Sequence, residues 1–174
     1  EAFPGLPVIV GGPHATSFPE EAVAVPGIRC AVLGEGEATL EELVPAVLQG
    51  RSLEGIRGIA YRAGGEVLET PRRPALDPED FPSIPWHSIG LERYWRHPSM
   101  TVKGAHRYLP LVSSRGCPYR CTYCHNIFGK QFRARSASSL FEEVLRARAV
   151  WGVRDFEIID DAFNIDRARV HEFC

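Results

Sequence analysis

Hydrophobic and polar positions along the chain follow two periods, and the points where the period changes divide it. Residues 7–10 (Pro-Val-Ile-Val) are a short continuous apolar run, which predicts a strand buried on both faces. Gly11, Gly12 and the residues to Thr16 read as a turn. Residues 19–23 then open a short helix with Glu20 and Glu21 in its first turn, where the helix dipole favours acids. A second strand over 29–33 meets another glycine turn, Gly34-Glu35-Gly36-Glu37. The helix predicted over 38–48 carries Leu40, Leu43, Val44 and Val47 on one face and stops at Gly50. Strand, glycine turn and helix, repeated, predict an open parallel α/β sheet, whose ligands lie beyond the carboxyl ends of the strands.

From residue 56 the period shortens to two. Residues 56–62 and 66–70 flank Ala63-Gly64-Gly65, which predicts a hairpin at the edge of the first domain. Prolines at 71, 74, 78, 82, 85 and 98 then erase any apolar period and mark a linker. Phe81, Ile84, Trp86, Leu91, Tyr94 and Trp95 make it too apolar for a free tether, so it is expected to be ordered. Residues 109–116 read as a buried strand running into a loop, and 126–136 as a further loop. Ser139 and Glu142 form a capping box for a helix with Leu140, Phe141, Val144, Leu145 and Trp151 on its apolar face, ended by Gly152. A strand over 155–159 delivers Asp160 and Asp161, and an amphipathic run starts near Asp166.

Composition narrows the class only modestly. The 174 residues are 44% hydrophobic and 24% charged, ordinary for a globular chain. A net charge of −2 gives no reason to expect nucleic acid or an anionic membrane as partner. No run approaches the length of a spanning helix. Both ends read as cut, since the first residue is Glu1 and the last, Cys174, falls inside the amphipathic run; an internal fragment is expected.

The densest chemistry lies in Ser113-Ser114-Arg115-Gly116-Cys117-Pro118-Tyr119-Arg120-Cys121-Thr122-Tyr123-Cys124-His125, which holds three of the five cysteines at C-x3-C-x2-C spacing. An odd total, with three crowded on one loop, argues against a disulfide framework. Two metal readings remain. Three thiolates and one open position suit an iron–sulfur cube, which normally takes four cysteines. With His125, Cys30 or Cys174 as the fourth ligand they could close a structural zinc site, although the usual second C-x2–4-C knuckle is missing.

The loop resembles the cluster motif of the radical S-adenosylmethionine (radical SAM) superfamily, C-x3-C-x-aromatic-C, with Tyr123 as the aromatic. The resemblance implies that Cys117, Cys121 and Cys124 hold a [4Fe–4S] cluster whose free iron binds S-adenosylmethionine. It also implies one-electron cleavage of that cosubstrate to a 5′-deoxyadenosyl radical. Where many relatives carry a G-G-E run that meets the cosubstrate's amino group, this chain has Asp160-Asp161; such acids also serve as helix caps. Arg133 and Arg135 are similar to an R-x-R-S run of the cobalamin-dependent branch, facing an anion or simply solvent.

Residues 1–70 are similar to the second half of the cobalamin-binding domain that precedes many radical SAM domains, on Gly11-Gly12-Pro13-His14-Ala15-Thr16 and Gly34-Glu35-Gly36-Glu37. The resemblance implies that Gly11, Gly12, Gly34 and Gly36 let backbone approach the cobalamin tail; as plain glycine pairs they would be tight turns. The family's D-x-H-x-x-G motif is absent from this chain, which leaves the cobalt ligand undecided. The expected organisation is a partial Rossmann-like cobalamin domain with hairpin (1–70), a linker (71–104) and the first βαβ of a radical SAM partial barrel (105–174). The implied activity is radical chemistry on a small-molecule substrate, foremost cobalamin-dependent methyl transfer to an unactivated carbon. Cyclisation or rearrangement, a cobalamin-independent methylthiotransferase-like enzyme, and a non-enzymatic metal-binding module are the alternatives. An electron donor of flavodoxin or ferredoxin type and the reducing cytoplasm would follow. The fragment alone is expected to be inactive.

Overall fold

The computed structural model describes residues 5–99, 101, 104–124 and 127–174. These fall into two units, residues 1–76 with Cys121–Phe128, and Asp77–Arg120 with Gly129–Cys174. The proline-rich stretch from Asp77 onward is therefore built into the second unit.

The first unit is a sheet flanked by helices. Strand β1 (Val8–Val10) leads into α1 (Pro13–Ser17) and α2 (Pro19–Ala24), then β2 (Ile28–Val32), α3 (Glu37–Leu48), β3 (Ile59–Ala63) and β4 (Glu66–Glu69). The sheet order is β1-β2-β3-β4. Only the β1–β2 pair is parallel, whereas β2–β3 and β3–β4 are antiparallel. The hairpin thus extends the sheet directly and makes it mixed, not the open parallel sheet that the strand–turn–helix repeat suggested. Side chains of β2 alternate between two cores, as the pleat requires. Cys30 and Val32 join Leu43, Ala46, Leu53, Ile56 and Ile59, while Ala31 and Leu33 join Ala15, Ala22, Val23 and Ala60. That double burial accounts for the consecutive apolar residues Cys30 to Leu33. β1 departs from expectation: it is the first strand of the described sheet, and Val8 is exposed.

Two further departures concern helices. The turn expected through Thr16 tightens into the helical turn α1, because Pro13 at its first position is already set for helical φ. On α3 the buried stripe is Thr39, Leu43 and Ala46, and Leu40 and Val44 face outward. Small Ala46 and the hydroxyl of Thr39 can lie against the sheet, since Thr39 Oγ1 donates to Arg57 O at 3.1 Å and accepts from Arg73 Nε at 3.0 Å. A polar residue is therefore satisfied on the inner face.

The second unit opens with two 3-10 turns, Pro78–Asp80 and Trp86–Ser88, and helix α4 (Leu91–Tyr94). There follow β5 (Tyr108–Leu111), β6 (Ser114–Arg115), β7 (Arg133–Ala134), α5 (Ala137–Trp151), β8 (Asp155–Ile158) and α6 (Arg167–Phe173). β5 pairs parallel with β8 across α5, a βαβ unit, and β6 pairs antiparallel with β7. Leu91, Leu109, Ala147 and Val153 form the core, with Trp86, Trp95, Trp151 and Phe156 against it. Trp95 Nε1 donates to Tyr108 O at 2.8 Å, so the linker aromatics are ordered as expected, although Tyr94 is exposed.

Helix α5 starts earlier than the Ser139 box: Ser136 is its N-cap, accepting from Ser139 N at 3.2 Å. Its buried face is Ala137, Leu140, Glu143 and Ala147, and Phe141 and Leu145 are exposed. In α3, Leu43→Ala is expected to cost about 2–5 kcal/mol of stability. Leu40→Ala should cost only about 0.5 kcal/mol. Urea unfolding followed by circular dichroism measures both, and equal losses would contradict this assignment of faces.

Candidate functional site

The parallel register Leu111↔Ile158 makes two segments leave the same end of the βαβ unit side by side. Ile159 N donates to Leu111 O at 3.0 Å, and the next residue, Asp160, reaches across to the segment after β5. Its Oδ1 accepts from Ser113 N at 2.7 Å, and its Oδ2 from Ser113 Oγ at 2.5 Å and Ser114 Oγ at 2.7 Å. Both serines are fully buried. From α6, Arg169 donates to the same Ser113 Oγ at 3.1 Å, to Arg135 O at 3.4 Å and to Phe163 O at 3.2 Å. Its guanidinium lies 5.2 Å from the Phe163 ring centroid and 6.0 Å from that of Phe132, within cation–π range.

The cysteine loop starts directly from this junction. After β6 the chain turns at Gly116, whose φ of 82° belongs to the left-handed region that glycine occupies without strain. Cys117 follows, half-buried, with its N–H on Gly129 O at 3.3 Å. Lys130 Nζ donates to Tyr119 O at 2.6 Å, and Cys124 N to Cys121 O at 3.3 Å. Cys121, Cys124 and Tyr123 are exposed, the last at 91%. All three thiols are free. Among the described residues no three Cys, His, Asp or Glu side chains converge to hold a metal ion, and His125 lies outside the described residues. The fit to a metal centre therefore rests on the donor set, three soft thiols at short spacing on one loop, which suits iron–sulfur or zinc ligation.

The remaining cysteines stand apart in chemistry. Burial pushes the Cys30 thiol up to about 11 despite the opposing pull of Arg29. It belongs to the hydrocarbon core of the first unit, which makes it a poor candidate for a fourth zinc ligand. Cys174 is exposed.

Arg135 neither faces solvent nor points to an anionic cofactor or substrate, the two readings of the R-x-R-S run; its anion is a side chain of the protein itself. It is buried, ion-paired with Glu143, and bonded to Ser139 Oγ at 3.0 Å and Ser139 O at 3.2 Å. Its partner lies eight residues on, on the buried face of α5. Arg133 sits half-buried in β7.

In the first unit Gly11-Gly12 follow β1 and Gly34 follows β2, so the parallel pair puts both turns at one end of the sheet. Thr16 Oγ1 accepts from Gly34 N at 3.0 Å and ties them together. Gly12 and Gly34 have φ of 92° and 77°, and a Cβ on either would meet nothing within 4 Å. A Cβ on Gly36 would crowd Val32 Cγ1 at 3.2 Å, and one on Gly11 would make ordinary contact. Backbone at Gly12 and Gly34 is thus open to close approach, the property that a cofactor tail would need. Ser113, Ser114, Glu143 and Arg169 are the site residues that sequence reasoning missed. The one available signal was a pair of serines at the end of an apolar strand.

Among the described residues no helix is long and apolar enough to cross a membrane. No family model matches the chain. It is 34% identical over 93% of its length to an uncharacterised methyltransferase of Pyrococcus horikoshii. It is 29% identical over all of its length to the anaerobic magnesium-protoporphyrin IX monomethyl ester cyclase of a Synechocystis species. These matches cover 35% and 34% of the two relatives, so the chain spans about a third of their length. Its fold is similar to that of TsrM from Kitasatospora setae, a radical S-adenosylmethionine methyltransferase solved with cobalamin and a [4Fe–4S] cluster. There the TM-score is 0.72 at 24% identity, covering 97% of this chain and 33% of that one. The chain belongs to the B12-binding radical SAM protein family.

Two stability predictions follow from the burial just described. Arg135→Ala strands the buried Glu143 carboxylate and is expected to cost about 3–5 kcal/mol; a thermal melt that leaves Tm unmoved would contradict the buried pair. Cys30 has a raised folded pKa, so the unfolded chain releases its proton first. Stability should fall as pH climbs from 9.0 to about 11, and the wild-type minus Cys30→Ala difference in urea titrations should carry that fall.

Proposed function

We propose that the protein containing this chain is a radical SAM enzyme in which Cys117, Cys121 and Cys124 hold a [4Fe–4S] cluster. Its reaction is cobalamin-dependent methyl transfer to an unactivated carbon of a small molecule. The observation that supports the reading is three free thiols on the loop that follows β6, in the chain segment that leaves the carboxyl end of β5 where Ser113 meets Asp160. When bound, the cluster supplies the electron that cleaves the sulfonium of S-adenosylmethionine to a 5′-deoxyadenosyl radical.

The chain's own residues bind and orient. Three thiolates leave one iron of a cube without a protein ligand, so the cosubstrate's amino and carboxylate groups have a place to attach. Exposed Tyr123, between Cys121 and Cys124, offers a ring against which the cosubstrate can lie. Of the acids carried over from the family's position for the amino group, Asp160 already spends its carboxylate on Ser113 and Ser114. Asp161, the acid beside it, is carried over by the same resemblance as an acceptor for the ammonium. Gly12 and Gly34, with Gly11 and Gly36 beside them, receive the cobalamin tail along open backbone. The electron comes from a flavodoxin- or ferredoxin-type donor in the cytoplasm.

Cyclisation is the second reading, favoured by the similarity to an anaerobic cyclase over the whole chain. Both share the cluster step and part only at the fate of the substrate radical. The full-length protein, reconstituted anaerobically with iron and sulfide, should turn brown and release 5′-deoxyadenosine under strong reductant. Cys117→Ala, Cys121→Ala or Cys124→Ala should each abolish that release, a loss on the order of a hundredfold or more. A colourless zinc protein, or a brown one giving no 5′-deoxyadenosine, would contradict the enzyme reading. Absence of cobalamin's visible spectrum would transfer it to the cobalamin-independent branch.

A further inference from the structure

Asp160 sits at a junction whose cost and wiring the binding reading does not explain. Its carboxylate takes three donors, all from Ser113 and Ser114, and charge-assisted bonds of this kind are among the stronger ones in proteins. Ser113 Oγ is used twice, donating to Asp160 and accepting from Arg169. Arg169 is itself 93% buried, being 7% exposed, and it meets the carboxylate through that hydroxyl. The same guanidinium holds the carbonyls of Arg135 and Phe163. One cation from α6 therefore gathers the segment after β5, the end of β7 and the loop after β8. Only Arg115 and Gly116 separate Ser114 from Cys117.

We propose that Asp160, Ser113 and Arg169 form a positioning device for the cysteine loop, fixing the direction in which β6 delivers Cys117. Asp160 thereby serves the site from behind and is not a cosubstrate contact. The inference rests on the cluster-binding reading for its purpose, but its geometry concerns only residues of the second unit and does not need the cluster to be present. The reason a carboxylate is required is one of donor count. An amide has a single acceptor oxygen and a competing NH2, so Asp160→Asn keeps the shape and strands at least one of the three donors. Ser114→Ala removes one bond and leaves the other two.

The test uses the full-length protein, first free of metal. Brief alkylation with iodoacetamide, mapped by mass spectrometry, reports the accessibility of each cysteine. Half-buried Cys117 reads the loop, and Cys30, at 0% exposure, reads loss of the fold as a whole. Asp160→Asn is expected to raise Cys117 alkylation about tenfold, the scale of a lost bond to a charged group, with Cys30 still protected. Ser114→Ala should raise it less. On reconstitution, iron per chain should fall in Asp160→Asn. Glutamate at the same position should not restore it, since the longer arm overshoots both serines. Cys117 reactivity unchanged in both Asp160→Asn and Ser114→Ala would overturn the proposal, and so would Cys117 and Cys30 rising together. If Cys117 responds as stated while the wild type takes up no iron, the device stands and the cluster reading fails; the two failures are thus told apart.

Discussion

Everything at the candidate site depends on one parallel strand pair. Because β5 and β8 run in the same direction with Leu111 opposite Ile158, residues 47 apart in sequence, Ser113 and Asp160, come within hydrogen-bonding distance. An antiparallel pairing would have sent Asp160 to the opposite end from the cysteines. The α5 crossover that permits parallel pairing is held by its own polar anchor, the Arg135–Glu143 pair. Two buried arginines, with their partners, therefore hold the segments around Ser113 and Ser136 between which the cysteine loop runs in sequence. Loops positioned by a rigid scaffold are the usual carriers of chemistry.

The two units answer different demands. In the sheet of the first, apolar packing on both faces of β2 fixes the fold, and the candidates there are stretches of backbone, Gly12 and Gly34. In the second, Asp160, Ser113, Ser114 and Arg169 are tied into one buried polar network. Such a network is strong when every member is satisfied and costly when one is lost. Among the described residues Arg169 Nε has no hydrogen-bond partner, so the network accepts some cost in the service of holding three chain segments together.

Much of the fold was legible in the sequence because local signals agreed with it. Val8–Val10, the strand at β2, the hairpin about Ala63-Gly64-Gly65 and the strand delivering Asp160 all appear close to where periodicity put them. The helix faces were misread for one physical reason. Leu40 and Val44, or Phe141 and Leu145, stand four apart and imitate an apolar stripe. The inner faces keep the expected Leu43 and Leu140, and the rest of each is lined by small or satisfied polar groups, Thr39, Ala46, Ala137, Glu143 and Ala147. At the site, C-x3-C-x2-C is a local signal and could be read directly. The links Ser113–Asp160 and Arg169–Ser113 span 47 and 56 residues, and no window of sequence shows which serine an aspartate will meet. Arg135 looked like a ligand because its partner, eight residues on, becomes a neighbour only once the helix turns it inward.

The central claim is that three cysteines hold a cube of iron with one corner left to a cosubstrate. Electron paramagnetic resonance of the reduced, reconstituted full-length protein, recorded with and without S-adenosylmethionine, tests it most directly. The account predicts a [4Fe–4S] signal whose g-values shift when the cosubstrate is added, because it attaches to iron. A cluster signal that S-adenosylmethionine leaves untouched would contradict it.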